Sequence, residues 1–355
     1  MKNLFFMNIS KFSFLLLCVL ILFFSCSNEP EGIPEIKAKN MLGNELKLSD
    51  IASSIVEIPL ETREGIYLKS TGSITKSEEH FYILDIGRIV KFKLDGTYVG
   101  EIAKKGEAPD EYLGAYGISY DLKSRSLLVA AQFNQAILQY SEEGELIGSA
   151  SFPFPFYVNA TDNGIWVLSH GGFLQSRDGG ILKIMGYRLD SELIISDSML
   201  VKKVPLVGNT GPGRYIHQQY VSSFDDKPGI YYAVIMSEKI RRDTLYTLEK
   251  GQLKPYSKFD FDFSDNRKVT YIYEITGEGN YYFITYSSIQ HQQSLFVFDR
   301  KKNAGYDLKN GITAADGKTY FLHAFGDGDY FYIKRVADET GFELNPIIVW
   351  VKLKE

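Results

Sequence analysis

Six copies of one hairpin pattern constrain the fold of this 355-residue chain more than any other feature. Each copy has an aromatic-rich apolar strand, a polar loop and a second apolar strand. Successive copies begin 38 to 66 residues apart, at residues 80, 126, 164, 230, 280 and 330. Repeats of about 40–50 residues with four strands each are typical of a β-propeller. We therefore predict an all-β fold, a six-bladed β-propeller over residues 53–355.

The composition agrees with an all-β chain. Aromatic residues make up 14% of it, with 24 Tyr and 24 Phe, and these residue types favour pleated, half-buried surfaces. After residue 65 the sequence shows no long stretch of helical periodicity.

The two ends of the chain predict how the ring closes. The sixth copy stops at Glu355 after its third strand, which leaves the last blade without an outer strand. Residues 53–61 ("SSIVEIPLE") form an alternating strand before the first copy. Pairing that strand with residues 347–353 would complete the last blade and remove an exposed edge. We expect Ile55, Val56, Ile58 and Leu60 to belong to the wall of the propeller.

The first 25 residues predict export. They contain Lys2 and Lys11, no acidic residue, and an apolar run over 12–24, which is the pattern of a secretory signal and is short for a membrane span of about 20 residues. Phe23-Phe24-Ser25-Cys26 resembles the lipobox of bacterial lipoproteins. That resemblance implies that residues 1–25 are removed and that Cys26 is acylated as the first residue of the mature chain. A plain secreted protein and an anchored helix stay open as alternatives.

Residues 26–52 mix charge, Pro and Gly, and we interpret them as a polar tether between the acylated cysteine and the propeller. The expected location is the bacterial cell envelope, with the outer membrane favoured and the lipid anchor as the contact with the membrane. Whether the protein faces the periplasm or the cell surface stays open. Both cysteines, Cys18 and Cys26, lie before the folded part, which therefore has no disulfide.

A second resemblance comes from residues 104–119, "KKGEAPDEYLGAYGIS", between the first two copies. Gly106, Pro109, Glu111 and Tyr112 match the G-x-G-P-G-E-Y linker of the six-bladed β-propeller lipoproteins related to NHL-repeat and TolB-like propellers. The resemblance implies the same fold and compartment, and it implies little about activity.

The loop lengths predict which face of the propeller is functional. In a blade with strands a to d from the axis outward, the b–c loops and d–a linkers lie at one end, which we call the loop face. These loops are longer and richer in functional side chains than the turns at the other end, and function usually sits on such loops. The candidate binding residues are Tyr112, His170, Arg177, His217, Arg241, Arg242, His291 and Gln292. The aromatic residues expected near them are Tyr116, Phe133, Phe173, Tyr215 and Tyr220.

Three motifs have compositions that could support metal or phosphate binding. "HQQ" occurs at 217–219 and 291–293, but a catalytic zinc needs three protein ligands, so a metal site would require His170 as well. "FDFDFSD" (259–265) alternates apolar and acidic residues, as a half-buried strand does. "GPGRY" (211–215) lacks the Lys-Ser/Thr of a phosphate loop and is interpreted as a linker turn. We expect no metal and no cofactor.

Two classes of function agree with the sequence. A net charge of −5 argues against nucleic acid as a partner, no thiol remains after processing, and "G-x-S-x-G" does not occur. The sequence favours a non-catalytic binding or scaffold module for a glycan, a peptide or an envelope protein. The alternative is a lyase or hydrolase with a site lined by His170, His217 and His291 at the propeller mouth.

Overall fold

The six sequence copies correspond to the two central strands of six antiparallel sheets arranged as a propeller. The fold was determined as a computed structural model, which describes residues 33–38, 40–176, 179–206, 219–224, 227–232, 243–249, 252–261, 269–288, 293–325 and 328–354. The prediction of an all-β, six-bladed β-propeller is confirmed.

An N-terminal segment precedes the blades. Its elements are β1 (Glu35–Lys37), β2 (Met41–Gly43), α1 (Leu48–Ile51) and β3 (Ala52–Pro59). No helix among the described residues is long and apolar enough to span a membrane.

The first three blades follow one another along the chain, each as strands a to d. Blade 1 consists of β4 (Ser73–Lys76), β5 (His80–Asp85), β6 (Arg88–Lys93) and β7 (Tyr98–Glu101). Blade 2 consists of β8 (Ala115–Asp121), β9 (Ser126–Ala131), β10 (Ala136–Tyr140) and β11 (Leu146–Ser151). Blade 3 consists of β12 (Pro155–Thr161), β13 (Gly164–Ser176), β14 (Gly179–Leu189) and β15 (Ile195–Leu206).

The last three blades follow the same plan with additions. Blade 4 consists of β16 (Gln219–Phe224), β17 (Lys227–Tyr232), β18 (Thr244–Glu249) and β19 (Gln252–Asp260). Blade 5 consists of β20 (Val269–Glu278), β21 (Tyr281–Ser288), β22 (Gln293–Asp299) and β23 (Ala304–Leu308). A small hairpin, β24 (Ile312–Thr313) and β25 (Thr319–Tyr320), leads to blade 6, which consists of β26 (His323–Ala324), β27 (Tyr330–Lys334), β28 (Ile347–Leu353) and β3.

The central strands are apolar because each is covered on both sides by a neighbouring blade. Strand β9 is fully buried along residues 126–131. Leu127 and Val129 pack in a cluster with Tyr82 of blade 1, whereas Leu128 packs in a cluster with Val167 of blade 3. Alternate side chains of one strand therefore join two successive blades, and the core is a ring of such interfaces.

The innermost strands of neighbouring blades are joined by hydroxyl groups. The Thr75 Oγ1 atom accepts a hydrogen bond of 3.0 Å from the Tyr120 N–H, and the Ser119 Oγ atom accepts one of 2.9 Å from the Ala160 N–H. Thr75 and Ser119 are both buried, and each follows a buried Ile of strand a. These bonds satisfy backbone groups that have no strand beside them.

Outer strands are joined by close backbone contacts. Gly96, in the c–d turn of blade 1, has φ +89°, and its carbonyl accepts a 2.9 Å hydrogen bond from the Glu61 N–H. A Cβ atom at Gly96 would lie 2.0 Å from the Pro59 carbonyl oxygen, at the end of β3. The junction between blades 6 and 1 therefore requires glycine at this position for both reasons.

The ring closes between the two ends of the chain, as the sequence predicts. Strand β3 pairs antiparallel with β28, with Ile58 opposite Ile348 and Ile55 opposite Val351. Ile58 and Leu60 are buried, each with 4% exposure, but Ile55 and Val56 are 41% and 46% exposed. The expectation for Ile55 and Val56 was wrong, because the outermost strand of a blade has solvent on its outer side.

The predicted polar tether does not extend over residues 35–52, which are part of the fold. Strand β1 pairs parallel with β19 at the outer edge of blade 4, and β2 pairs parallel with β23 at the outer edge of blade 5. Scattered apolar residues fix this segment, namely Ile36, Ala38, Leu46, Leu48 and Ile51, which are all buried. Two outer edges of the propeller are covered in this way.

Two isoleucines of β3 test the closure within one strand. Ile58→Ala removes a buried side chain and should lower the free energy of unfolding by about 2–5 kcal/mol. Ile55→Ala, at an exposed position of the same strand, should change it by no more than about 0.5 kcal/mol. Guanidinium unfolding of both variants measures the difference, and equal losses would contradict closure through the buried side of β3.

Candidate functional site

Most of the predicted site residues lie outside the part of the chain that the structure describes. These are Arg177, His217, Arg241, Arg242, His291 and Gln292, together with Tyr215 and the "GPGRY" turn. Phe173 and Tyr220 belong to strands β13 and β16. The placement of His217 and His291 on one face stays a prediction. Tyr112 and His170 are described.

Tyr112 is a core residue and does not belong to the exposed face. Its side chain is 1% exposed and packs between blades 1 and 2. The hydroxyl oxygen accepts a 3.1 Å hydrogen bond from the Ile89 N–H, and burial raises the Tyr112 pKa to about 12. A ligand at the surface cannot reach this ring, so the candidate role of Tyr112 in binding is corrected.

The linker between blades 1 and 2, which resembles the G-x-G-P-G-E-Y motif, has a structural role. The Glu111 carboxylate accepts a 3.0 Å hydrogen bond from the Ala108 N–H, and the Gly106 N–H donates to the Tyr112 carbonyl at 3.1 Å. Asn134, in the b–c loop of blade 2, accepts from the Leu113 N–H at 2.8 Å and donates to the Glu111 carbonyl at 3.2 Å. These contacts fix the linker of residues 102–114 against the b–c loop.

A buried carboxylate fixes the neighbouring linker of residues 60–72 in the same way. Asp85 accepts hydrogen bonds from the Lys69 and Ser70 N–H groups at 2.9 and 2.8 Å. Arg88 pairs with Asp85 at 2.9 Å and donates to the Tyr67 carbonyl at 2.7 Å. The polar residues at this part of the loop face therefore shape a rigid surface.

The exposed aromatic residues of the part of the chain with described side chains lie on the loop face. Among the described residues, four large aromatic side chains are exposed, and they are Tyr116 (50%), Phe133 (59%), Phe154 (46%) and Phe342 (50%). They belong to the start of strand a in blade 2, the b–c loop of blade 2, the linker to blade 3 and the b–c loop of blade 6. The other exposed large apolar residues are aliphatic. Exposed aromatic rings grouped on one face are typical of a binding surface.

Two of these rings form a pair. Tyr116 and Phe133 lie 5.9 Å apart between ring centroids, at an interplanar angle of 74°. Gly114 provides the space for Phe133, because a Cβ atom there would lie 3.0 Å from the Phe133 ring. Both aromatic residues were expected near the loop face, and the structure brings them together.

His170 lies within strand β13 and not in a loop. A bulge between His170 and Phe173 contains Gly171 and Gly172, and it allows the b–c hairpin of blade 3 to continue through the "HGG" sequence. The His170 ring packs at 4.6 Å from the Phe156 ring, and burial lowers its pKa to about 4. The imidazole is therefore neutral at neutral pH.

Two further titratable residues lie on innermost strands, where the blades face the propeller axis. Glu274 of β20 is half-buried, and burial raises its pKa to about 7. His323 of β26 is accessible to solvent, yet the surrounding protein lowers its pKa. Neither was predicted as a site residue. Within the described ranges, no group of three or more His, Cys, Asp and Glu residues could hold a metal ion.

The acidic motif has the predicted strand character. Phe259 and Phe261 are buried, and Asp260 between them is half-buried. The Asp260 carbonyl accepts a 2.8 Å hydrogen bond from the Ala38 N–H of the N-terminal segment. Residues 262–265 of this motif lie outside the described residues.

Comparison of the sequence with family models gives one match, over residues 33–352, to a family described as "Domain of unknown function (DUF4934)". A search of curated protein sequences gives no match. The matched range begins near β1, in agreement with a folded unit that includes the N-terminal segment.

Solved propeller structures are similar to the chain at low sequence identity. A protein from Bacteroides fragilis described as exported superposes with a TM-score of 0.60 at 14% identity, covering 90% of this chain and 100% of that one. A DUF4221 family member from Bacteroides vulgatus gives a TM-score of 0.47 at 12% identity, covering 88% and 98%. The periplasmic gluconolactonase of Pseudomonas aeruginosa gives 0.44 at 13%, covering 85% and 100%. The first match supports the propeller fold, and the kinship with NHL-repeat and TolB-like propellers stays a prediction.

The lowered pKa of His170 predicts a specific pH dependence. The unfolded chain takes up a proton at this residue near its ordinary pKa of 6.5, whereas the folded chain does so only near about 4. Stability should therefore fall as the pH decreases from 7 to 4.5, by about 2–3 kcal/mol from this residue. His170→Phe keeps a ring beside Phe156 and should reduce that loss by the same amount in guanidinium unfolding at the two pH values. An unchanged pH dependence in the variant would contradict a buried, neutral His170.

Proposed function

The chain belongs to the DUF4934 family, and from this premise we propose that it is an envelope lipoprotein whose propeller acts as a non-catalytic binding module through the loop face. A single observation favours this function. All four exposed aromatic side chains of the described residues lie on the loop face. Exposed apolar patches of this kind have a free-energy cost in water, so their grouping at one end favours a binding role.

The rigidity of this face supports binding without a large rearrangement. Asn345 accepts a 2.8 Å hydrogen bond from the Leu68 N–H and donates to the Glu61 and Ile66 carbonyls at 2.7 and 2.6 Å. Asn345 and Asp85 fix the linker of residues 60–72, and Asn134 fixes the linker of residues 102–114. A pre-formed surface loses little conformational entropy when a ligand binds.

The proposed location in the envelope depends on the first residues. The lipobox-like sequence before Cys26 and the exported character of the similar Bacteroides fragilis protein both support it. Attachment through two or more acyl chains would be stable, whereas a single chain gives only marginal membrane binding.

The lipid anchor is tested by Cys26→Ala. The variant should remain unprocessed or appear in the soluble fraction, because no other cysteine follows the apolar run. Membrane fractionation and the mass of the mature chain measure both outcomes, with Cys18→Ala as the matched control. Membrane attachment of Cys26→Ala at the mature mass would contradict the proposal.

The binding face is tested by a thermal-shift screen of the full-length protein in mild detergent with hexasaccharides, decapeptides and fatty acids as probes. A probe that raises the melting temperature of the wild-type protein should lose its effect on Phe133→Asp/Phe154→Asp, since both side chains are exposed on the loop face. The effect should persist in Leu122→Asp, a control at an exposed position in the a–b turn of blade 2, at the opposite end. Loss of the effect in the control alone would refute the loop face as the binding surface.

A further inference from the structure

Three of the innermost strands are interrupted by a bulge at the same place. The regular pairing with strand b skips Tyr116 in blade 2, Phe156 in blade 3 and Tyr273 in blade 5. These three skipped residues are aromatic, and each comes two positions before a buried branched residue, namely Ile118, Val158 and Ile275. The pairing of β20 shifts a second time at Thr270, which is not aromatic. One strand position in three blades therefore combines an aromatic ring with a break in the ladder.

The bulges are not a requirement of the propeller. The innermost strands of blades 1 and 4 pair with their strands b in continuous register. A bulge leaves one residue out of the ladder and changes the direction of its side chain, and bulges are frequent beside functional sites. The recurrence of an aromatic residue at these three bulges indicates that the rings have a purpose other than pairing.

Two of the bulged residues are adjacent across the interface of blades 2 and 3. A Cβ atom added at Gly117, next to Tyr116, would lie 3.6 Å from the Phe156 carbonyl oxygen. Each bulged ring also contacts a second ring from its own blade, Tyr116 with Phe133 and Phe156 with His170. Tyr116 and Phe133 are the exposed pair, whereas Phe156 and His170 are half-buried and Phe156 packs against the core cluster of blade 3.

The b–c loop that carries Phe133 has three uncharged amide side chains. The b–c loop of blade 2 has the sequence Gln132-Phe133-Asn134-Gln135, in which Asn134 fixes the linker. Gln132 is half-buried and Gln135 is exposed, at a positive φ of 52°. An amide can donate and accept hydrogen bonds at once, which suits hydroxyl groups and offers no counter-charge to an ion.

We propose that the bulged residue Tyr116 and the b–c loop of blade 2 form a binding site for a neutral oligosaccharide on the loop face. The apolar C–H faces of sugar rings stack on Tyr116 and Phe133, and Gln132 and Gln135 bind the hydroxyl groups. This inference rests on the proposed binding function and specifies its ligand class.

The same site is less suited to an extended peptide. Peptides that add to a sheet bind through the main-chain groups of a free strand edge. At the innermost strands of blades 2 and 3, N–H groups of Tyr120 and Ala160 already donate to Thr75 and Ser119. Two N–H groups of this edge are therefore unavailable to an added peptide strand.

Calorimetric titration of the full-length protein in mild detergent tests the site. The probes are cellohexaose, mannohexaose, maltohexaose and xylohexaose, with a decapeptide pool as the comparison. Tyr116→Leu and Phe133→Leu keep apolar bulk but remove a ring, and each should weaken the binding of a recognised hexasaccharide by about tenfold or more, as truncation of a central contact residue does. Tyr116→Phe, which retains the ring, should lose clearly less affinity than Tyr116→Leu. Leu122→Ala, an exposed position at the other end of blade 2, is the matched control.

The outcomes separate this inference from the proposed function. Hexasaccharide binding that is weakened by the ring-removing variants and unchanged in the control supports the site. Equal affinities of Tyr116→Phe and Tyr116→Leu would overturn ring stacking. Binding of the decapeptide pool with no hexasaccharide bound at millimolar concentration would overturn the saccharide inference, while the loop face as a binding surface would remain supported by the thermal-shift result.

Discussion

The backbone groups at the inner edges of the blades set the main physical constraint on this propeller. Six separate sheets meet around an axis, and no strand is available there to pair with the innermost strand of each sheet. An unpaired buried N–H group costs about 1–3 kcal/mol. Thr75 and Ser119 satisfy two of these groups with side-chain hydroxyls from the preceding blade. Single side-chain hydrogen bonds thus take the place of strand pairing between these blades. The rest of each innermost strand is free to bulge.

The sequence predicts best the strands that are buried on both sides. Central strands such as β9, with Leu127, Leu128 and Val129 all fully buried, are continuous apolar runs and were found in every blade. Innermost and outermost strands have one side against water or the axis. They therefore combine apolar and polar residues, and the sequence does not distinguish them from loops. The sequence of the N-terminal segment predicts a tether because Ile36 and Ala38 are spaced among charged residues. Their burial depends on the outer edges of blades 4 and 5, which no local pattern in residues 35–52 reveals.

The candidate site was only partly predictable for a related reason. Loop length and polarity indicated the correct end of the propeller for Tyr116 and Phe133. The same criteria selected Tyr112, whose ring is in the core, and His170, whose "HGG" sequence resembles a loop but forms a bulged strand. Residues that shape loops and residues that bind ligands have the same chemistry, so only contacts distinguish Asn134 from Gln132.

The pairing of β3 with β28 has a consequence for the order of events as the chain is made. Ser53 donates to the Lys352 carbonyl across 299 positions of sequence, so β3 finds its partner only after residues 347–353 have been synthesised. Such distant contacts are slow to form because a long loop must first be closed. Until then β3 has no partner strand in blade 6, and the ring stays open. A chain interrupted before residue 347 therefore cannot close its ring through β3.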